Sequence, residues 1–301
     1  MTHTLSPRDL AEAIGVSESS VKRWADAGTI RAVRTAGGHR RIPRAEAIRF
    51  IREARIDVVR PQVLGFAEAA HAAGSTPQAA GDADILFEAL RDGQRDRVLG
   101  LVQGWFLSGR SLAWIFDGPV AAAMTRIGDL WLHQGDGVLL EHRATDLCIQ
   151  AVTQLRLALP TEGADAPAAV GASPGDDPYL LPCILAATIL QEAGMQAINL
   201  GPETPLAVIE AAAARHHARL AWLSVSTDAG AKTASAGLGK LAEALGGGGT
   251  HLVVGGRAAA GLKLRREPNL IFLDTMSELG AFASGLTADT ARTDAGPDSS
   301  P

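Results

Sequence analysis

Apolar positions change their period twice along the chain. In the first stretch they sit at helical spacing in short runs. Leu10, Ala11 and Ile14 share one face of a helix opened by Ser6-Pro7-Arg8-Asp9 and stopped by Gly15. Ser6 suits a cap, Pro7 the first turn, and Asp9 the positive end. Ser17 caps a second helix, Glu18 to Ala27, with Val21, Trp24 and Ala25 inward and Gly28 at its end. The turn between them is about three residues, as in a helix-turn-helix. Apolar–polar alternation then predicts strands at Ile30–Arg34 and Arg40–Ile42 around Gly37-Gly38, a β-hairpin. Pro43 starts a further helix to about Ile56, and 57–65 reads as a short linker.

From Val63 to Leu159 the period stays helical, with turns at Gly74–Pro77, Asp92-Gly93, Ser108–Ser111 and Gln134–Gly137. Four or five helices follow, enough for a bundle. Residues 160–167 form a second linker. Beyond Ala168, short apolar runs alternate with Ala-rich helical stretches. Strands are expected at 168–172, 196–200, 220–225, 251–254 and 270–273. Helices are expected at 180–193, 205–215, 232–245 and 276–285, with a turn at 258–262. Five β/α repeats predict a parallel sheet with helices on both faces. The expected fold is multidomain: an all-α winged helix-turn-helix at 1–60, a four-helix bundle at 61–160, and an α/β Rossmann-like (flavodoxin-like) domain at 168–286. Polar residues 287–301 read as a flexible tail.

Composition changes this picture little, but charge changes it much. The 301 residues are 47% hydrophobic and 20% charged, with 4% aromatics and one tyrosine, Tyr179. Two cysteines, Cys148 and Cys183, exclude a disulfide scaffold and a Cys-rich zinc site. No apolar run is long enough for a membrane span, and no secretory signal opens the chain, so a cytoplasmic protein is expected. The net charge of −5 speaks against nucleic acid. It divides unevenly: residues 1–60 hold 12 Lys/Arg against 7 Asp/Glu, and the remainder 16 against 26. A +5 head on a −10 body indicates two different partners.

The head carries the chemistry for DNA. Ser17, Ser19, Ser20, Lys22 and Arg23 lie on the helix that would enter the major groove. Arg34, Thr35, Gly38, His39, Arg40 and Arg41 lie on or beside the hairpin, where arginines bind phosphates or reach the minor groove. The run Arg34-Thr35-Ala36-Gly37-Gly38-His39-Arg40-Arg41-Ile42, after Leu10–Ser17 and Val21–Trp24, resembles the winged helix-turn-helix of MerR-type regulators.

The body resembles the cobalamin-binding module of methionine synthase. With the head, residues 5–285 resemble the CarH/LitR family of light-responsive repressors. Trp131, nine residues, then Glu141-His142 match the family's Trp-x9-Glu-His signature, in which the Trp covers the upper corrin face. Read from spacing alone, these residues are a buried Trp and a surface Glu-His pair. The family's Asp/Glu-x-His-x-x-Gly element falls on Asp176-Asp177-Pro178-Tyr179-Leu180-Leu181. Ser224-Val225-Ser226 and Gly255-Gly256 match its Ser-x-Leu/Ser and Gly-Gly elements. Asp176 keeps the acid position. Pro178 stands where the resemblance places the histidine that ligates cobalt. Leu181 stands where it places the glycine beside the nucleotide tail.

A proline has no ring nitrogen to give a metal, and leucine adds bulk where the pocket needs none. Cobalamin is therefore disfavoured, and no cofactor or metal is assigned. Trp131, His133, His142, Tyr179 and Glu203 are the other groups within reach of the cleft; the two histidines suit either haem iron or a structural role. No nucleophile–His–acid spacing or phosphate loop indicates an enzyme. The expected function is a transcription regulator, a repressor, bound as a dimer or higher oligomer to double-stranded operator DNA. Its input is another ligand or, as the resemblance implies, a flavin photoreceptor protein. The alternative is an adenosylcobalamin-dependent light-sensing repressor without a protein His ligand.

Overall fold

The computed structural model describes residues 4–72, 79–131, 137–161, 163, 165–262 and 267–294. The chain folds as two compact units, Met1–Pro160 and Thr161–Pro301.

The first unit opens with β1 (Thr4–Leu5), α1 (Pro7–Ile14), α2 (Glu18–Asp26), β2 (Val33–Arg34), β3 (Arg40–Pro43) and α3 (Arg44–Ala54). The capping of α1 is reciprocal. Ser6 Oγ accepts from Asp9 N, and Asp9 Oδ2 accepts from Ser6 N. This closes two of the four amides a helix start leaves open. Gly15 ends α1 at φ +70°, a conformation that costs glycine least. Leu10, Ile14, Val21, Ile30, Ile42, Ile48 and Ile51 form the core. β3 pairs antiparallel with both β1 and β2. The pattern missed β1, which is only two residues long. It also made the hairpin strand too long, since Ile30–Ala32 lie outside β2. Trp24 is half-buried and packs on Phe50, ring centres 5.2 Å apart.

The segment expected as a linker is tied down. Val59 N and Arg60 N both donate to Ala13 O, and Leu64 and Phe66 are fully buried. Two arginines on one face of α3 complete the joint. Arg44 Nε donates to Leu64 O and its guanidinium lies 4.8 Å from the Phe66 ring. Arg52 donates to Phe106 O and Arg110 O, both at 3.1 Å, and stacks on Phe106. Charged donors to carbonyls stabilise by about 1.5–3 kcal/mol each when well buried, less at half exposure. Arg52→Met is expected to cost about 1–2 kcal/mol, read as a lower urea midpoint.

The bundle consists of α4 (Ala79–Arg91), α5 (Arg95–Leu107), α6 (Leu112–Ile115), α7 (Ala121–Trp131) and α8 (Gly137–Arg156). A π-helical turn, Phe116–Val120, joins α6 to α7, and Pro119 sits inside it. The wider turn accommodates a residue without an N–H. Four rods result, packed through Leu86, Leu90, Val98, Phe106, Ile127 and Leu155. The turn expected at Gly74–Pro77 lies outside the described residues, as does that at Gln134–Gly137 except for Gly137, which opens α8.

The second unit runs β4 (Ala168–Pro174), α9 (Leu181–Glu192), β5 (Gln196–Thr204), α10 (Leu206–Arg215), β6 (Leu220–Ser224), α11 (Asp228–Ser235), α12 (Leu238–Gly247), β7 (His251–Gly255), β8 (Leu270–Phe272) and α13 (Met276–Asp294). The strands are all parallel, in the order β5-β4-β6-β7-β8. That is the doubly wound, flavodoxin-like order, with its switch point between β4 and β6. On one face Val170, Ala172, Leu223, Leu252 and Val254 pack with Ile209, Leu241 and Leu245. Elsewhere in the sheet Trp222 is buried beside its cross-strand partner Gly171. A Cβ on Gly171 would lie 2.0 Å from the indole, so only glycine leaves room for it.

Two expectations differ here. The helix expected over 232–245 is two helices, broken at Gly237, whose added Cβ would crowd Leu206 at 3.0 Å. The apolar period continues through the break and hid it. Likewise α13 runs on to Asp294, past the Gly285 where the pattern ended it. The rest of the expected tail, 295–301, lies outside the described residues. No described helix is long and apolar enough to cross a membrane.

Candidate functional site

Two regions collect the residues the sequence singled out. The first is the face formed by α2 and the β2–β3 hairpin. Ser17 caps α2 by accepting from Ser20 N, and its Oγ also meets Ser19 Oγ at 2.8 Å and Ser20 Oγ at 3.0 Å. Lys22 pairs with Glu18 one turn back at 2.7 Å. These side chains are partly committed within the helix. Arg23 and Arg41 are exposed and have no carboxylate partner among the described residues.

The hairpin tip closes on itself. Thr35 N donates to His39 O, Gly38 N to Thr35 O, and His39 N to Thr35 Oγ1. Gly38 takes φ +77° to make the turn. Arg40 turns back toward α2. Its Nε and Nη2 both donate to Asp26 Oδ1, at 3.1 and 2.6 Å, and Arg34 Nη2 lies 3.8 Å from the same oxygen. Sequence reading missed Asp26, which lies 14 residues before Arg40 and belongs to no motif.

The second region is the carboxyl edge of the sheet at the switch point, where open α/β sheets place their ligands. Asp176, Pro178, Tyr179, Leu181, Ser224, Ser226, Gly255 and Gly256 all come together there. The carboxylate that organises them is Asp177, fully buried, and not Asp176. Asp177 Oδ2 accepts from Ser226 N and Thr227 N, and Oδ1 from Tyr179 N. Charge-assisted bonds of this kind tie the loop after β4 to the loop after β6. Asp176 is exposed at φ +63° and accepts from Thr233 Oγ1 at 2.6 Å. Two adjacent acids look alike in sequence; the left-handed turn at the first sends only the second inward.

Pro178 is exposed at the apex. Leu181 is buried at the first position of α9. Below them Ser173 Oγ donates to Tyr179 O and meets Cys183 Sγ at 3.1 Å. Arg257 donates from Nε to Ser226 O at 2.7 Å and lies 5.1 Å from the Tyr179 ring centre. Gly256 takes φ +109°, and an added Cβ would strike Val225 O at 2.4 Å, so the Gly-Gly pair is needed for the turn itself.

These residues do not fit a cobalt ion ligated by a side chain of this loop. Pro178 offers no lone pair on nitrogen, and no group of three His, Cys, Asp or Glu stands together among the described residues. Leu181 and the indole of Trp222 are buried in this unit. Burial also raises the Cys183 thiol pKa above its ordinary value, so it is held as neutral SH. The expected bundle residues belong to the first unit. Glu141 is half-buried and accepts from Thr145 Oγ1, and His142 is exposed with Nε2 3.6 Å from Glu141. The side chain of Trp131 and all of His133 lie outside the described residues.

The family models that match known proteins fall on the head and on the helical bundle. A helix-turn-helix domain family matches residues 4–55, and a B12 binding domain family matches residues 83–156. No curated protein matches the chain. Among solved structures, the monomethylamine corrinoid protein of Methanosarcina barkeri is similar at 14% identity and a TM-score of 0.51, covering 69% of this chain and 100% of that one. The methanol:cobalamin methyltransferase complex MtaBC of the same organism is matched at 13% identity and TM-score 0.33, over 70% of this chain and 81% of that one. A cobalamin-binding protein of Desulfitobacterium hafniense DCB-2 is matched at 15% identity and TM-score 0.30, over 69% and 97%. The first of these likenesses shows the fold. The chain thus joins a helix-turn-helix domain to a B12-binding-type module, an order consistent with a CarH-like architecture.

Proposed function

We propose that the chain is a MerR-type transcription regulator, a cytoplasmic repressor that binds double-stranded operator DNA as a homo-oligomer of two or more copies. It is a regulator rather than an enzyme. Its B12-type module has lost the axial histidine and responds to another ligand or to a flavin photoreceptor protein. One observation carries the reading: a single polypeptide joins an arginine-bearing winged head to a parallel sheet whose switch-point loop has Pro178 where the family resemblance would place a cobalt-ligating histidine.

The head meets DNA through exposed Arg23 and Arg41, with Ser17, Ser19, Ser20, Lys22, Arg34, Thr35, Gly38, His39 and Arg40 forming or shaping the surface. Release requires an input that favours one of two arrangements over the other. Arg44 and Arg52 give a physical route, because they join α3 to the residues leading into the bundle and to α5. A change in helix packing is thereby felt at the head.

The second reading, an adenosylcobalamin repressor in which the cofactor keeps its own base, is favoured by the B12 binding domain match over 83–156. One experiment separates the two. The visible spectrum of the purified chain is recorded alone and after adenosylcobalamin, haem or flavin, followed by gel filtration. The proposal expects the protein fraction to stay colourless with adenosylcobalamin. A stoichiometric cobalamin complex would overturn it in favour of the second reading.

A further inference from the structure

The pairing of Asp26 with the wing is unexpected on electrostatic grounds. A carboxylate at the end of the helix facing DNA repels phosphates, and an acid in that place weakens binding unless it does something else. What it does here is geometric. Asp26 is the last residue of α2, and its Oδ1 receives two donors from Arg40 and lies near a third from Arg34. Arg34 and Arg40 are cross-strand partners, the pair next to the turn of the hairpin. β2 is only two residues long and exposed, so its pairing with β3 does little to set the hairpin's angle. The tip, meanwhile, is closed by its own hydrogen bonds. The wing is a stiff turn held just below its tip by one carboxylate.

We infer that Asp26 is a positioning residue for DNA recognition: it fixes the wing against α2, and Arg40 acts through it rather than as a free phosphate ligand. This rests on the DNA-binding reading. The pair is partly solvent-exposed, with Asp26 at 53% and Arg40 at 23%, so it adds little to folding stability. Its effect belongs to binding, where the wing must arrive already oriented.

The test uses the full chain and duplexes that the wild-type protein selects from a random-sequence pool. Asp26→Ala is expected to weaken binding to the selected duplex by roughly 10-fold or more, although it removes a negative charge, and to flatten the salt dependence as the wing arginines lose register. Asp26→Glu, which keeps the carboxylate, is expected to recover most of the affinity. Adding Arg40→Ala to Asp26→Ala is expected to cause little further loss, as for two residues acting as one unit. The thermal midpoint stays at the wild-type value. Unchanged or tighter binding by Asp26→Ala would overturn the inference, since loss of a repelling charge alone predicts that. A lowered midpoint that accounts for the lost affinity would also overturn it, as a structural effect. If the wild type selects no duplex, the inference falls together with the DNA reading, and the failure is visible before any variant is made.

Discussion

Replacing both Arg40 and Arg41 by alanine is expected to abolish duplex binding in a gel-shift assay. Two mechanisms combine. Arg41 is exposed and has no carboxylate partner among the described residues, so its loss removes a direct cation from the DNA face. Arg40 is bound to Asp26, so its loss frees the wing and leaves Asp26 unneutralised beside the phosphates. The combined effect is about 2–4 kcal/mol, roughly 30- to 700-fold in affinity at fixed salt. Folding should not change, because surface ion pairs contribute about 0–1 kcal/mol. A double variant that shifts duplex as the wild type does would remove the wing from DNA recognition.

The second large effect is in the sheet. Trp222 is buried on β6 beside Gly171, and truncating it to alanine leaves a void that the neighbouring glycine cannot fill. A loss of about 3–5 kcal/mol is expected, against a total of about 5–15 for a typical domain. Trp222→Phe behaves differently. The indole Nε1 is buried and, among the described residues, faces only the Cys183 thiol, a weak acceptor; an ill-satisfied donor of this kind costs about 1–3 kcal/mol. Losing it offsets the smaller ring, and a net change of about 1 kcal/mol or less follows.

The two cysteines make this measurable unit by unit. Burial pushes the Cys148 thiol up to about 12 and raises Cys183, so both stay protonated and inert at neutral pH in the native state. Cys148 belongs to the first unit and Cys183 to the second. In mild urea, Trp222→Ala is expected to expose Cys183 to a thiol reagent while Cys148 remains protected. Equal labelling of both, or neither at any urea concentration where the wild type is also protected, would contradict the local role of Trp222.

Much of the fold is legible from local pattern. The Ser6–Asp9 capping box, the Gly37-Gly38 turn and the five apolar strand runs each lie within a few residues, and each appears where its pattern places it. What pattern could not supply are the long-range pairings. Asp26 matters because Arg40 returns to it across the hairpin, and no spacing rule links the two. Asp177 is chosen over Asp176 by one positive φ. The break at Gly237 is set by Leu206 on another helix, while the apolar period runs on unbroken. The segment at 57–65 looks like a linker because much of its anchoring comes from its own backbone, through donors to Ala13 O and the Leu64 carbonyl that Arg44 reaches, which leave no trace in its side-chain pattern. The sheet-edge motifs were legible as positions. Their roles were not: Gly256 is needed by the turn itself, and Ser226 offers its backbone N–H to Asp177.

The central claim is that the +5 head reads double-stranded DNA. The most direct measurement is retention of labelled random-sequence duplexes by the full wild-type chain across a salt series. The account predicts retention at low salt that falls steeply as salt rises, with a log–log slope of about −0.9 for each phosphate neutralised and a total of about −4 or steeper. A folded chain, with both thiols protected, that retains no duplex even at low salt would contradict it.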